Sequence, residues 1–204
     1  NAKEPERIRF LLGNGYWITD AKMYPKTNNI SMIATNKRMT PVQKRRAQFA
    51  NEIYATGLGV SLFGKNRHNA GTGLEIAKKE EGLCNFRFSI AMENGLDDAW
   101  ITEKVLDCFA TGTIPIYHGT RRIVDYFNPD GIIFLADYVP DLMYGDGDFF
   151  PRKAIEKWNK VYEQFNIGFY ESRLAAIQDN LERVKKVELP IEFIVNEVSN
   201  LLKR

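Results

Sequence analysis

The sequence predicts an open α/β fold: a Rossmann-like, doubly wound parallel sheet with extra helices at its C-terminal end. Three observations carry that expectation. Short apolar runs at residues 30–34, 59–64, 86–92, 114–117 and 131–135 are separated by helical or polar segments. Two of the intervening segments open with helix-start signals, Thr40-Pro41 and Thr102-Glu103. From Pro151 onward the pattern becomes wholly helical.

Taken in order, Arg7 to Leu12 suit a strand ending at Gly13-Asn14-Gly15, and residues 13–29 read as irregular. Asn29 to Ala34 form a core strand. Thr40-Pro41 then begins a helix running to about Thr56, because proline is well placed in a first helical turn. Gly59 to Gly64 is a second strand-like run, followed by a polar connection at 65–82 with room for a short helix. Phe86, Phe88, Ile90 and Met92 alternate with Arg87, Ser89 and Ala91, so at least one face of this strand is buried.

Asn94-Gly95 and Asp97-Asp98 break the alternation and mark a loop. Thr102 is a good N-cap, since its hydroxyl can accept from a free first-turn amide. Val105, Leu106, Phe109 and Ala110 fall at helical spacing, and Gly112 stands where the chain leaves a helix in a left-handed turn. Ile114 to Tyr117 is a short strand that tolerates Pro115 near its start. Gly131 to Leu135 reads as another.

Three apolar stripes follow: Ile155, Trp158, Tyr162 and Phe165; Leu174, Ile177, Leu181 and Val184; Ile191, Ile194, Val198 and Leu201. At this spacing they are core positions. Asp146-Gly147-Asp148 is a turn rather than a metal site.

Composition bounds the possibilities. The 204 residues, 44% of them hydrophobic, suffice for one good core or two small ones. A net charge of +2 argues against nucleic acid as a partner. Cys84 and Cys108 form neither a disulfide framework nor a zinc pattern, and are expected as buried or free thiols. No apolar run approaches the ~20 residues of a membrane span, which points to a cytoplasmic or membrane-peripheral setting. Asn1-Ala2 reads as a cut end, so a Golgi-type anchor can lie outside this segment. The sequon Asn29-Ile30-Ser31 decides nothing by itself.

The chemistry concentrates at Thr102-Glu103-Lys104. A helix start at the carboxyl end of a strand offers free amides and a positive dipole end to an anion, and Lys104 adds a full charge. Glu103 cannot share a phosphate, but a carboxylate suits the paired hydroxyls of a ribose or a sugar. The same residues also describe an ordinary capped helix with a solvated lysine. A second basic element, Lys37, Arg38, Lys44, Arg45 and Arg46, places five positive charges in ten residues after the strand at 30–35. Such a run is by default a solvated helix face, yet it follows the end of a strand where open sheets bind ligands.

Phe86 to Asn94, then Trp100-Ile101-Thr102-Glu103-Lys104, then the Gly112-Thr113-Ile114-Pro115 turn together resemble the donor-binding pattern of family 10 glycosyltransferases. These are the α1,3/α1,4-fucosyltransferases that use GDP-fucose. The resemblance spans roughly 50 residues, far more than a lone short motif. It implies one half of a GT-B type enzyme. Glu93, Asn94, Trp100, Thr102, Glu103 and Lys104 would belong to the donor site, with Thr35-Asn36 and Arg46 contributed by the preceding strand and helix.

Arg46, before Ala47-Gln48-Phe49, matches the family arginine better than Arg45. Arg46 and Lys104 would flank the diphosphate, the first as a planar fork and the second as a point charge. Glu103, Lys104 and Arg46 are thus the expected catalytic residues. Asn94 fits either a donor contact or a turn. Trp100 stands where the family has tyrosine, and either packs on the donor or staples the helix start. His68 and His118 join no nucleophile or metal arrangement and are taken as structural.

The resemblance further implies inverting transfer of fucose to a hydroxyl of an acceptor oligosaccharide, with no obligatory metal or other cofactor. The general base would lie in an N-terminal acceptor-binding half missing from this chain, with Asp97 and Asp98 as lesser substitutes. Residues 1–29 would then be a remnant of that half or a linker, 30–150 the donor domain, and 151–204 helices packed on the same domain. A different nucleotide-sugar donor, or a non-catalytic nucleotide-sugar-binding module, remains open.

Overall fold

The computed structural model describes residues 18–64, 74–95, 100–140, 151–187 and 199. The expected strand at 7–12, His68, Asp97, Asp98, the Asp146-Gly147-Asp148 turn and the third apolar stripe lie outside the described residues.

Five strands form one sheet: β1 (Asn28–Ile33), β2 (Val60–Phe63), β3 (Phe86–Met92), β4 (Ile114–His118) and β5 (Ile133–Phe134), in the order β2-β1-β3-β4-β5. All four pairings are parallel, with Met32 beside Leu62 and Ile90, and Ile90 beside Ile116. Parallel neighbours need crossovers, and helix α1 (Pro41–Ala55) carries the chain from β1 to β2 while α2 (Glu103–Ala110) carries it from β3 to β4. The chain winds outward from β1 to β2, then returns to lay β3 on the other side of β1. The β1/β3 seam is therefore the topological switch point of the sheet.

Both faces of the sheet are covered. On one, Ile30, Met32, Phe88, Ile90, Ile114 and Ile116 pack against Phe49 and Ile53 of α1 and Trp158 of α4 (Pro151–Val161). Trp158, fully buried, meets Phe49 edge-on at 6.3 Å and Phe165 at 6.0 Å between ring centres. On the other face the strands present small side chains, Ser31, Ser89 and Ala91, and the Ser31 and Ser89 hydroxyls bond at 3.0 Å. There Val105, Leu106 and Phe109 of α2 join Leu181 and Val184 of α6 (Leu174–Val184) in a second core. Double coverage explains why these strands are apolar almost throughout.

Local signals decide where elements begin and end. The Thr40 hydroxyl accepts from Gln43 N at 3.2 Å, with Pro41 in the first turn of α1. Gly112 takes φ +67°, the left-handed turn that releases α2 into β4. Pro115 is tolerated within β4 because β5 pairs only from Ile116 onward. Cys84 and Cys108 are buried free thiols.

Three expectations are corrected. The strand at 131–135 shrinks to Ile133–Phe134, because Gly131 closes a 3-10 turn capped by Asn128 and Leu135 already starts a short helix, α3 (Leu135–Tyr138). The first apolar stripe is not one helix: α4 stops at Val161, and a tighter turn at Tyr162–Gln164 delivers Phe165 to the core beyond it. Leu174 does not join its stripe but is 45% exposed, since it opens α6 just after the short α5 (Ile167–Glu171), ahead of the packed turns holding Ile177, Leu181 and Val184. Among the described residues no helix is long and apolar enough to cross a membrane.

Candidate functional site

A cleft of about 290 Å³ opens at the carboxyl ends of β1 and β3, on the switch point. Thr35, Lys37 and Arg46 line it from the β1–α1 side, Asn94, Glu103 and Lys104 from the β3–α2 side, and Lys79 and Asp107 complete the wall. Its position follows from topology: the two crossovers leave the seam on opposite sides, which opens a crevice at the carboxyl ends of the two strands.

On α1 the buried face runs through Arg46, Ala47, Phe49, Ala50 and Ile53. Arg46 sits where that face meets the cleft and is only 5% exposed, while Arg45 is half-buried and Lys44 exposed. Arg46 Nη1 donates to Asn94 Oδ1 and Nη2 to Thr35 Oγ1 at 3.4 Å, bridging the ends of β3 and β1. Its buried Nε has no acceptor among the described residues. A buried guanidinium with an unspent donor is primed for an anion. Burial pulls its pKa down and the charges of Glu93 and Glu103 pull it back up; an arginine stays charged throughout.

Thr102, Glu103 and Lys104 form the start of α2 as expected. Thr102 is the N-cap, and its hydroxyl accepts from Lys104 N at 3.5 Å. The same hydroxyl donates to Glu93 Oε2 at 2.6 Å and accepts from Lys104 Nζ at 2.9 Å. Glu93 Oε1 accepts from Thr102 N at 3.0 Å. Glu93 is fully buried beneath the helix start and so anchors α2 to the end of β3. Burial pushes its carboxyl pKa up, against Lys104 and the Thr102 hydrogen bonds, which favour the charged form.

Charge alternates along the cleft wall. Lys104 Nζ lies 3.3 Å from Glu93 Oε2 and 3.2 Å from Glu103 Oε1. Lys79 Nζ lies 3.7 Å from that same Glu103 oxygen and 2.7 Å from Asp107 Oδ2. Burial by itself would raise Glu103, but Lys104 and then Lys79 outweigh it and hold the carboxyl below its ordinary range.

The structure thus brings Arg46, Asn94, Glu103 and Lys104 to one cleft. Glu93 and Thr102 stand behind Lys104 rather than in the lining. Asn36 lies past the end of β1, where its Oδ1 accepts from Arg38 Nε at 3.3 Å, and Thr35 faces the cleft instead. Trp100 packs over the turn at Gly95, its ring 3.6 Å from where a β-carbon on that glycine would sit. His118 is buried at the end of β4, and its carbonyl accepts from Glu93 N at 2.9 Å.

Sequence reasoning missed Lys79 and Asp107. Lys79 hides in the run Lys78-Lys79-Glu80-Glu81, which looks like a solvated surface. Asp107, with 0% exposure, was the available signal: a carboxylate inside the apolar stripe Val105–Ala110 demands a buried partner. Among the described residues no three His, Cys, Asp or Glu side chains are grouped to hold a metal ion.

Fold and cleft define a doubly wound α/β domain with a cationic site at its switch point. The chain belongs to glycosyltransferase family 10: the model described as glycosyltransferase family 10 (fucosyltransferase) C-term matches residues 23–141. An alpha-(1,3)-fucosyltransferase FucT of Helicobacter pylori is 32% identical over 66 residues, 32% of this chain and 14% of that protein. GDP-fucose protein O-fucosyltransferase 3 of Rattus norvegicus is 32% identical over 75 residues, 32% of this chain and 16% of that protein. The chain therefore matches only a small part of these relatives' length.

Among solved structures, an alpha1,3-fucosyltransferase with GDP-fucose aligns at TM-score 0.49 and 22% identity, over 72% of this chain and 38% of that one. One with GDP aligns at TM-score 0.47 and 20% identity, over 77% of this chain and 44% of that one.

Proposed function

We propose that this chain is the donor-binding part of a fucosyltransferase, binding GDP-fucose in the switch-point cleft. The observation that carries the reading is the convergence there of Arg46 from α1 and Lys104 from α2, on either side of the β1/β3 seam. Arg46 and Lys104 would flank the diphosphate, and Glu103 would accept from the ribose hydroxyls. Thr102 and Glu93 would hold the helix start in place.

In the transfer the acceptor oxygen bonds to the fucose anomeric carbon as that carbon's bond to the phosphate oxygen breaks. The leaving GDP gathers negative charge, which fixed cations stabilise without reorganising. The family membership supports the donor; inversion, an acceptor oligosaccharide and a second, acceptor-binding half supplying the general base complete the proposal. In this reading Arg46 and Lys104 do the electrostatic work that a divalent metal does in other transferases.

Calorimetric titration with GDP-fucose, GDP-mannose and UDP-glucose tests it. The expected result is binding selective for GDP-sugars, weakened by about 1.5–3 kcal/mol in Lys104→Ala, the scale of a charge-assisted hydrogen bond. Equal binding of UDP-glucose, or indifference to Lys104→Ala, would overturn the assignment.

A further inference from the structure

Lys79 enters the cleft from an element that the donor-site motif does not include, the 3-10 turn Lys79–Gly82 ahead of β3. Its ammonium is tethered at 2.7 Å to Asp107, a fully buried carboxylate that also accepts from Ile18 N at 3.1 Å. From that tether it reaches Glu103 Oε1, the oxygen Lys104 also meets. We infer that Lys79 is a positioning residue that keeps Glu103 in place and ionised when a diphosphate draws Lys104 away, an inference resting on the functional reading above.

The reason lies in the competition for Lys104. Without ligand, its single charge is divided between Glu93 and Glu103. A diphosphate in the cleft would claim that charge, and would also engage Arg46, the cation that faces Glu103 from α1. Glu103 would then face the ligand's negative charge, with Glu93 behind it at the end of β3 and Asp107 one turn along its own helix. Those neighbours, together with burial, favour protonation. A protonated Glu103 would present one acceptor fewer to a ribose. Lys79 cannot follow Lys104 to the ligand without giving up its ion pair with the fully buried Asp107, which is unfavourable.

Two measurements on the whole chain test this. In carbon-13 NMR titration of unliganded protein, the Glu103 carboxyl midpoint should rise in Lys79→Met and return in Lys79→Arg. An unchanged midpoint overturns the inference. In calorimetry, Lys79→Met should lose about tenfold in GDP affinity, a loss that deepens on acidification between about pH 8 and pH 5. Pyrophosphate, which has no ribose for Glu103, should bind both proteins alike.

Equal losses for GDP and pyrophosphate, or a pH profile overlaying the wild type, would mean that Lys79 is merely structural. If the wild type binds no GDP, the functional reading fails and takes this inference with it. Should Lys79→Met not fold, Lys79→Met/Asp107→Asn removes both charges of the tether and carries the same expectations.

Discussion

Thr102 shows how much one hydroxyl can hold. It caps α2, donates to the buried Glu93 and accepts from Lys104 Nζ, so three separate parts of the site share one oxygen. Thr102→Val keeps the shape and removes those bonds, leaving Glu93 short of a donor in a place without solvent. The expected cost is about 1–3 kcal/mol in urea unfolding, with weaker GDP binding because Lys104 loses one of the contacts that hold it. Thr102→Ser should restore most of both. Indifference of either measurement to the valine would show that the backbone amide of Thr102 alone is enough to hold Glu93.

Between α2 and β4 the turn at Gly112 serves two ends at once. Its φ of +67° is open to glycine and strained for other residues. A β-carbon there would also lie 2.5 Å from Met23 Sδ, and Tyr170 Oη donates to the Gly112 carbonyl at 2.7 Å. Gly112→Ala is expected to destabilise by about 1–2 kcal/mol from the left-handed backbone alone, and further from displacing Met23. Comparison with Gly59→Ala, also at positive φ (+72°) but in open space, separates the two contributions by thermal unfolding. The left-handed turn was legible in the sequence from the spacing of Gly112 after the apolar stripe. The contact with Met23, nearly ninety positions earlier, was not, because nothing local records which segment passes over a helix end.

The molecule as a whole carries a half-buried amine at the amino ends of the strands, whereas the cleft lies at their carboxyl ends. Lys26 Nζ donates to Cys84 O and Thr111 O at 2.8 Å each and to Thr113 Oγ1 at 2.9 Å, tying together the segments that lead into β3 and β4. Burial pushes its pKa down to about 7. In the unfolded chain a lysine titrates near its ordinary value of about 10.4, so between the two the unfolded state binds more protons.

Stability should therefore rise with pH across that window, through Lys26, by an amount on the order of 1 kcal/mol per pH unit. The three oxygen acceptors favour the charged amine and soften the slope. Urea unfolding of wild type and Lys26→Met at about pH 7 and pH 9 isolates the effect, since the difference between those slopes belongs to Lys26. Parallel slopes would show that the amine titrates alike in both states.

What the sequence determines by itself is local and periodic: the strands β1 to β4, the helix start at Thr40-Pro41, the cap Thr102, the left-handed Gly112, and the placing of Glu103 and Lys104 in a first helical turn. These depend on neighbours a few residues away, and neighbours are what a sequence displays. Only the tertiary structure decided that Glu93 is buried beneath Lys104, that Thr35 rather than Asn36 faces the opening, and that Lys79 and Asp107 complete its wall. Each of those depends on which faces meet when the strand order reverses at β1 and β3, and that is set by packing across the sheet rather than by spacing along the chain.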